Sequence, residues 1–155
     1  MKKTFQFLTS VLIPLIVGFG GSFFTTSAIN AWYTTINKPS FNPPNWIFAP
    51  VWTMLFILIG ISFYLVWREN FGKEKGKVIG IYSLQLGLNF LWSILFFGIE
   101  KPLFALIEIF ILWLAIIANI AIFWKVSKPA AYLLIPYLLW VSFASILNMA
   151  IVVLN

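Results

Sequence analysis

The sequence contains no cysteine and no histidine, and only 9% of its 155 residues carry charge. The first two absences exclude disulfide scaffolds, thiolate nucleophiles, Cys/His zinc sites and every Ser-His or Cys-His catalytic arrangement. The third excludes a soluble domain of this length, which runs to about one quarter charged residues. With 62% of residues hydrophobic, there is too little polar surface to coat a globule in water. Aromatics are what the chain has in excess: 8 Trp, 5 Tyr and 17 Phe. This is the composition of a small integral membrane protein.

Charged residues divide the chain into long apolar stretches. Residues 4–37, 39–67, 78–99 and 129–155 are uncharged, and 102–124 carries only Glu108. A helix needs about 20 residues to cross the hydrocarbon, and no irregular backbone is tolerated in contact with lipid. Each stretch therefore predicts one helix: 5–27, 46–67, 78–98, 103–124 and 130–153, an all-α five-helix bundle in a single domain over residues 1–155. The runs are continuous, unlike the alternating pattern of barrel strands. Met1-Lys2-Lys3 before an apolar run also fits the start of a secretory signal. The run reaches Phe24, however, beyond the roughly 7–15 residues of a signal core, and no small-residue cleavage site follows, so a retained helix is expected.

Five spans put the amino terminus, the second loop and the fourth loop on one side. Those segments hold Lys2, Lys3, Arg68, Lys73, Lys75, Lys77, Lys125 and Lys128, eight of the ten basic residues; only Lys38 and Lys101 lie opposite. The positive-inside rule then predicts a multi-pass cell-membrane protein with a cytoplasmic amino terminus and an outer carboxyl terminus. The net charge of +6 is thus a topology signal. No basic stripe is interleaved with stacking aromatics, so no nucleic-acid partner is expected.

One connection is long. Residues 28–45 include Pro39, Pro43 and Pro44, which fix their own φ and push their predecessors toward extended backbone. The stiff, aromatic-rich loop reads either as an interfacial belt of Trp and Tyr or as a lid over a cavity.

Helical periodicity sorts the faces. In the third helix, Gly76, Gly80, Ser83 and Gly87 form a small-residue stripe, a surface for close helix packing against a second copy, or simply the glycine common in membrane helices. Gln85, Asn89 and Trp92 lie opposite. Amides at membrane depth need partners from neighbouring helices or a wet cavity. The fifth helix aligns Pro136, Trp140, Ala144 and Leu147, with Asn148 at the edge. The first offers Gly18, Gly21, Ser22 and Thr25, and the second Trp52 and Phe56. Small residues facing tryptophans suit a flat, largely apolar aromatic ligand held by a few amide or indole hydrogen bonds. Glu108, the one acid in a span, reads as a functional carboxylate or as a side chain reaching the headgroups or Lys101.

Three segments carry a resemblance. They are Trp32-Tyr33-x4-Lys38-Pro39-Ser40-Phe41-x-Pro43-Pro44-x-Trp46-x-Phe48-Ala49-Pro50-Val51-Trp52-Thr53, Gln85-Leu86-x-Leu88-Asn89-x-x-Trp92, and Pro136-Tyr137-Leu138-x-Trp140-x-x-Phe143-Ala144-Ser145-x-Leu147-Asn148. Together they resemble the translocator protein family, also called tryptophan-rich sensory proteins or peripheral benzodiazepine receptors, over essentially the whole chain. The short start looks bacterial. The resemblance implies a five-helix bundle, commonly dimeric, with a cavity beneath the first loop. It also implies binding of porphyrins such as protoporphyrin IX, and of isoquinoline-carboxamide and benzodiazepine drugs, with light-dependent porphyrin breakdown in some bacterial members.

Carried over by motif position, the cavity should include Ser22, Trp52, Asn89, Trp92, Trp140, Ala144 and Leu147, with Phe48, Ala49, Val51 and Phe104 as further wall residues. Tyr33 and Lys38 should come from the lid. Lys38, the only basic residue of the first loop, is expected beside the porphyrin propionates. The tyrosine-and-arginine segment proposed to bind cholesterol in animal relatives is missing from the fifth helix, which argues against a sterol partner. Without His or Cys the commonest haem-iron ligands are absent, so no metal site and no required cofactor are expected, and metal-free porphyrin is the expected ligand. Trp52 and Trp140, as oxidisable neighbours, are assigned to porphyrin photochemistry. Tetrapyrrole transport and porphyrin sensing or scavenging are the rival functions.

Overall fold

In the computed structural model, which describes residues 2–155, five membrane-length helices form the protein. The first span is α1 (Lys2–Ile29), and a short α2 (Trp32–Thr35) lies in the connection that follows. The second is α3 (Asn45–Arg68). The third is α4 (Lys75–Ser93), continued by a π-helical turn over Ile94–Gly98. The fourth is α5 (Pro102–Trp124), and the fifth is broken into α6 (Lys128–Leu133) and α7 (Ile135–Leu154). No strand occurs among the described residues. By length and composition all five spans can cross a bilayer, and the chain is a multi-pass membrane protein.

The break in the fifth span lies at Leu134, just ahead of Pro136, whose missing N–H and bulky ring disturb the turn back to Tyr132. The helices close a ring. α1 lies between α3 and α4, α4 lies against α5, α5 against α7, and α6 and α7 return to α3. In lipid this association rests on packing and interhelical hydrogen bonds, not on the hydrophobic effect.

Glycines set how closely α1 approaches its neighbours. At Gly60 of α3, a β-carbon would stand 2.6 Å from the Val11 Cα and 2.7 Å from the Ser10 carbonyl oxygen, so the two backbones touch. Toward α4, Gly20 and Gly21 admit Phe90 and Ser93, and Gly98 admits Phe24. The half of the ring away from the α1–α3 connection is filled. Phe63 stacks on Tyr82 (4.1 Å, 17°), Tyr82 on Phe123 (6.4 Å, 20°), and the Ser62 hydroxyl donates to the Ala130 carbonyl at 2.7 Å.

The glycines of the small-residue stripe of α4 meet no other element among the described residues. Gly76, Gly80, Ser83 and Gly87 are exposed, and a β-carbon at any of the three glycines would have no neighbour within 4 Å.

These two kinds of glycine should respond oppositely to alanine. Gly60→Ala forces backbone apart and should cost about 1–3 kcal/mol, lowering the thermal midpoint in detergent. Gly80→Ala should be neutral or stabilising by up to about 1 kcal/mol in a monomeric micelle.

Candidate ligand cavity

The ring is not filled beneath the α1–α3 connection, where four spans enclose a cavity of about 560 Å³. α1 supplies Gly18, Gly21, Ser22 and Thr25; α3 supplies Phe48, Ala49, Trp52 and Phe56. α4 and its π turn add Asn89, Trp92, Phe96 and Phe97, and α7 adds Trp140, Ala144, Leu147 and Asn148. Tyr33 reaches it from the connection above. No lining residue is charged.

The polar groups of the wall are held in defined ways. The Asn89 amide donates to the Tyr137 hydroxyl at 3.1 Å. The Trp92 indole N–H donates to Asn148 Oδ1 at 3.2 Å, and Asn148 Nδ2 donates to the Pro102 carbonyl at 2.9 Å. Asn148 therefore joins α4, α5 and α7, and for Asn89 and Asn148 both readings hold, since they bridge helices and border the cavity, whereas Gln85 does neither. The indole N–H groups of Trp52 and Trp140 make no hydrogen bond among the described residues, which leaves both available to a ligand. Their rings are fixed by neighbours, Trp52 stacked on Phe56 (5.6 Å, 28°) and Trp140 edge-on to Phe48 (6.3 Å, 71°).

The π turn shapes the remaining wall. The Ile99 N–H reaches back five residues to the Ile94 carbonyl at 2.8 Å, and the consecutive Phe96 and Phe97 are both buried. Trp92 stacks on Phe96 at 5.0 Å and 18°. A regular helix turns consecutive side chains about 100° apart, so helical periodicity gave no reason to put both phenylalanines in the wall. Such wide turns tend to occur at functional sites.

The connection is a tethered lid. Tyr33, 2% exposed, donates its hydroxyl to Asn42 Oδ1 at 2.6 Å. The Asn37 N–H donates to Asn155 Oδ1 at 2.9 Å, Asn155 Nδ2 returns a bond to the Asn37 carbonyl at 3.0 Å, and Asn37 Nδ2 donates to the Leu154 carbonyl at 3.2 Å. Trp32 packs edge-on against Phe96 at 5.6 Å, whereas Trp46, 73% exposed, fits the interfacial anchor reading. Burial pushes the Tyr33 phenol up from 10.0 to about 12.

Ser22, Tyr33, Phe48, Ala49, Trp52, Asn89, Trp92, Trp140, Ala144 and Leu147 all border the cavity. Other expectations need correction. Val51 lies off the stripe of Phe48, Trp52 and Phe56 and packs into the core. Phe104 is 57% exposed on the outside, because α5 contributes no wall residue at all. Lys38 does not line the cavity. Its ammonium donates to the Tyr33 carbonyl (2.7 Å) and the Ile36 carbonyl (3.1 Å) and lies 5.0 Å from the Tyr33 ring centre, bracing the lid. Gln85 and Pro136 also fall outside the lining. Glu108 neither reaches the headgroups nor meets Lys101: it is 5% exposed, and both carboxyl oxygens lack partners among the described residues.

The fold and site define a class: polytopic membrane proteins whose helices enclose an uncharged, indole-walled cavity under a fastened loop. The family model described as "TspO/MBR family" matches residues 10–154, and the chain belongs to that family. It is 48% identical over 150 residues to the "Tryptophan-rich protein TspO" of Archaeoglobus fulgidus, covering 97% of each chain. It is 41% identical over 140 residues to the "Translocator protein" of Bos taurus (88% of this chain, 82% of that one). To the "Tryptophan-rich sensory protein" of Cereibacter sphaeroides it is 34% identical over 134 residues (84% and 83%).

Two outcomes follow from this geometry. Asn148→Leu strands the Trp92 N–H and removes the tie to the Pro102 carbonyl, and should cost about 1–3 kcal/mol, seen as a lower melting midpoint with altered tryptophan fluorescence. The folded lid favours the neutral phenol of Tyr33, so its contribution is present below pH 10.0 and lost as pH rises through about 12. A fluorescence change of the neighbouring Trp32 should track that window and vanish in Tyr33→Phe.

Proposed function

We propose that the protein binds a tetrapyrrole of the protoporphyrin IX type, together with flat isoquinoline-carboxamide or benzodiazepine-type drugs, and promotes light-dependent oxidation of the bound porphyrin. The observation that carries this reading is the convergence of Trp52, Trp92 and Trp140 on one uncharged cavity, with two indole N–H groups free. A volume of about 560 Å³ is in the range of sites for drug-sized ligands. Aromatic walls favour offset or edge-on contact with a flat macrocycle.

With Lys38 engaged by the lid backbone, a ligand's carboxylates have no fixed cation on the wall. They would sit at the mouth, beside Asn45 at the start of α3, where the helix dipole favours negative charge. Excited porphyrin passes energy to oxygen or accepts an electron, and Trp52 and Trp140 are placed as oxidisable partners in this reading. The light chemistry belongs to the porphyrin; the protein supplies position and surroundings. The carried topology is a cytoplasmic amino terminus in a cell membrane. The open stripe of Gly76, Gly80, Ser83 and Gly87 is the proposed homodimer face.

Transport is the second reading, favoured by the name of the Bos taurus translocator protein. Against it, five spans do not divide into equal inverted repeats, the frequent basis of alternating access.

Titration with protoporphyrin IX in detergent, first in darkness, should quench tryptophan fluorescence in a saturable way. Under illumination the porphyrin absorbance should then fall, and Trp52→Phe and Trp140→Phe should each slow that loss while retaining binding. Loss at an unchanged rate in both variants would remove the indoles from the mechanism. Saturable binding with no loss, but with flux across sealed liposomes, would favour transport.

A further inference from the structure

The lid and the walls differ in how firmly they close. Above the cavity the connection is fastened by the reciprocal amide bonds of Asn37 and Asn155 and by the Tyr33–Asn42 bond. On the sides, the wall residues of α4, its π turn and α7 are all buried or half-buried. Apart from Asn45 at the mouth, the residues that both line the cavity and stand exposed are Phe19 and Thr26 of α1 and Ala49 and Thr53 of α3. The cavity thus meets the outer surface of the bundle along one seam.

The packing of α1 explains the seam. Toward the far end, Gly60 brings α3 into backbone contact with Ser10 and Val11, and Gly18 lies against the Phe56 ring. Nearer the lid, Gly20, Gly21 and Gly98 let α1 lean on α4 and the π turn, and neither Gly20 nor Gly21 opens toward α3. Three hydroxyls at or beside the seam are engaged by their own helices, and that of Thr26 makes no hydrogen bond among the described residues. Ser22 donates to the Phe19 carbonyl (2.6 Å), Thr25 to that of Gly21 (3.4 Å) and Thr53 to that of Ala49 (2.8 Å). Apart from Thr26, the gap can face hydrocarbon without stranding a donor.

We infer that the cavity is loaded sideways from the bilayer, through the seam between the lid-side halves of α1 and α3, and not through the lid. The ligand class is a bilayer-partitioning aromatic whose flat body passes between Phe19, Ser22 and Thr26 on one side and Ala49 and Thr53 on the other. The inference rests on the proposed binding role for its purpose, but its test does not.

The absence of cysteine allows a single thiol to be placed at will. Ala144→Cys sits on the inner wall, and Asn30→Cys, in the exposed turn before α2, serves as the reference. In proteoliposomes, benzyl methanethiosulfonate should modify Ala144→Cys at least about tenfold faster than the charged sulfonatoethyl reagent, after normalisation to Asn30→Cys, because an ion is excluded from the apolar path. Adding Thr53→Trp, or independently Ala49→Phe, should slow the benzyl reagent several-fold, while Asn155→Ala should leave it unchanged. Equal rates for the two reagents would overturn the inference. So would acceleration by Asn155→Ala with no effect of either seam variant. Protoporphyrin titration of the same proteins separates the two proposals: a seam-dependent labelling pattern without porphyrin binding would sink the ligand and keep the route.

Discussion

A void inside a membrane bundle persists only if the helices around it are held apart by stiff side chains, since close packing otherwise removes it. Here the struts are aromatic. Trp52 braced by Phe56, Trp140 by Phe48, and Trp92 by Phe96 keep three walls at a distance that small residues could not maintain. The fourth wall is α1, which is thinned at its middle by Gly18, Gly21 and Ser22, between the bulkier Leu15, Val17 and Ile29. The contrast between thick and thin walls creates the space. The hydrogen bonds of Asn148 keep the thick walls in register, because one amide holds the Trp92 indole and the start of α5 together.

Much of this architecture is written in the chain at low resolution. Charge-free stretches separated by lysines mark the five spans because burying an ion in hydrocarbon is costly, and all five are found. The wall positions Asn89 and Trp92, and Trp140, Ala144 and Leu147, follow from a 100° turn per residue, which holds wherever the helix is regular. It fails where the helix is not. Phe96 and Phe97 became legible only with the π turn, whose five-residue hydrogen bond no periodicity announces. Lys38 was misplaced for a different reason. Its charge is visible in sequence, but the nearby carbonyls of Tyr33 and Ile36 that capture it depend on the short α2. Phe104 and Val51 could not be assigned without knowing that α5 stays behind α4 and α7, and which way α3 is rotated.

Polar groups divide the bundle into two regimes. Around the cavity, Asn89, Trp92 and Asn148 have partners on other helices. Elsewhere in α4 and α5, the amides of Gln85 and Asn119, the Tyr82 hydroxyl and the Glu108 carboxyl are buried without partners among the described residues. An unpaired buried polar group costs about 1–3 kcal/mol. Interhelical amide bonds thus tie the walls of the cavity, while the unpartnered amides, phenol and carboxyl of α4 and α5 lie outside it.

The chemistry of the cavity is then set as much by what the lining omits as by what it holds. With no charged side chain on the wall, an ionic group inside would face the full cost of leaving water without a counter-charge. An apolar aromatic body meets the opposite situation, with indole and phenyl faces on three sides and two unengaged N–H donors to orient it. A single site can serve both halves of an amphipathic molecule only if its polar end stays at the mouth. The placement of Asn45 at that mouth, and of every tryptophan in the lining below it, gives the cavity this polarity. The polarity of the cavity along the bundle axis is thus set chiefly by its walls, to which the lid adds only Tyr33.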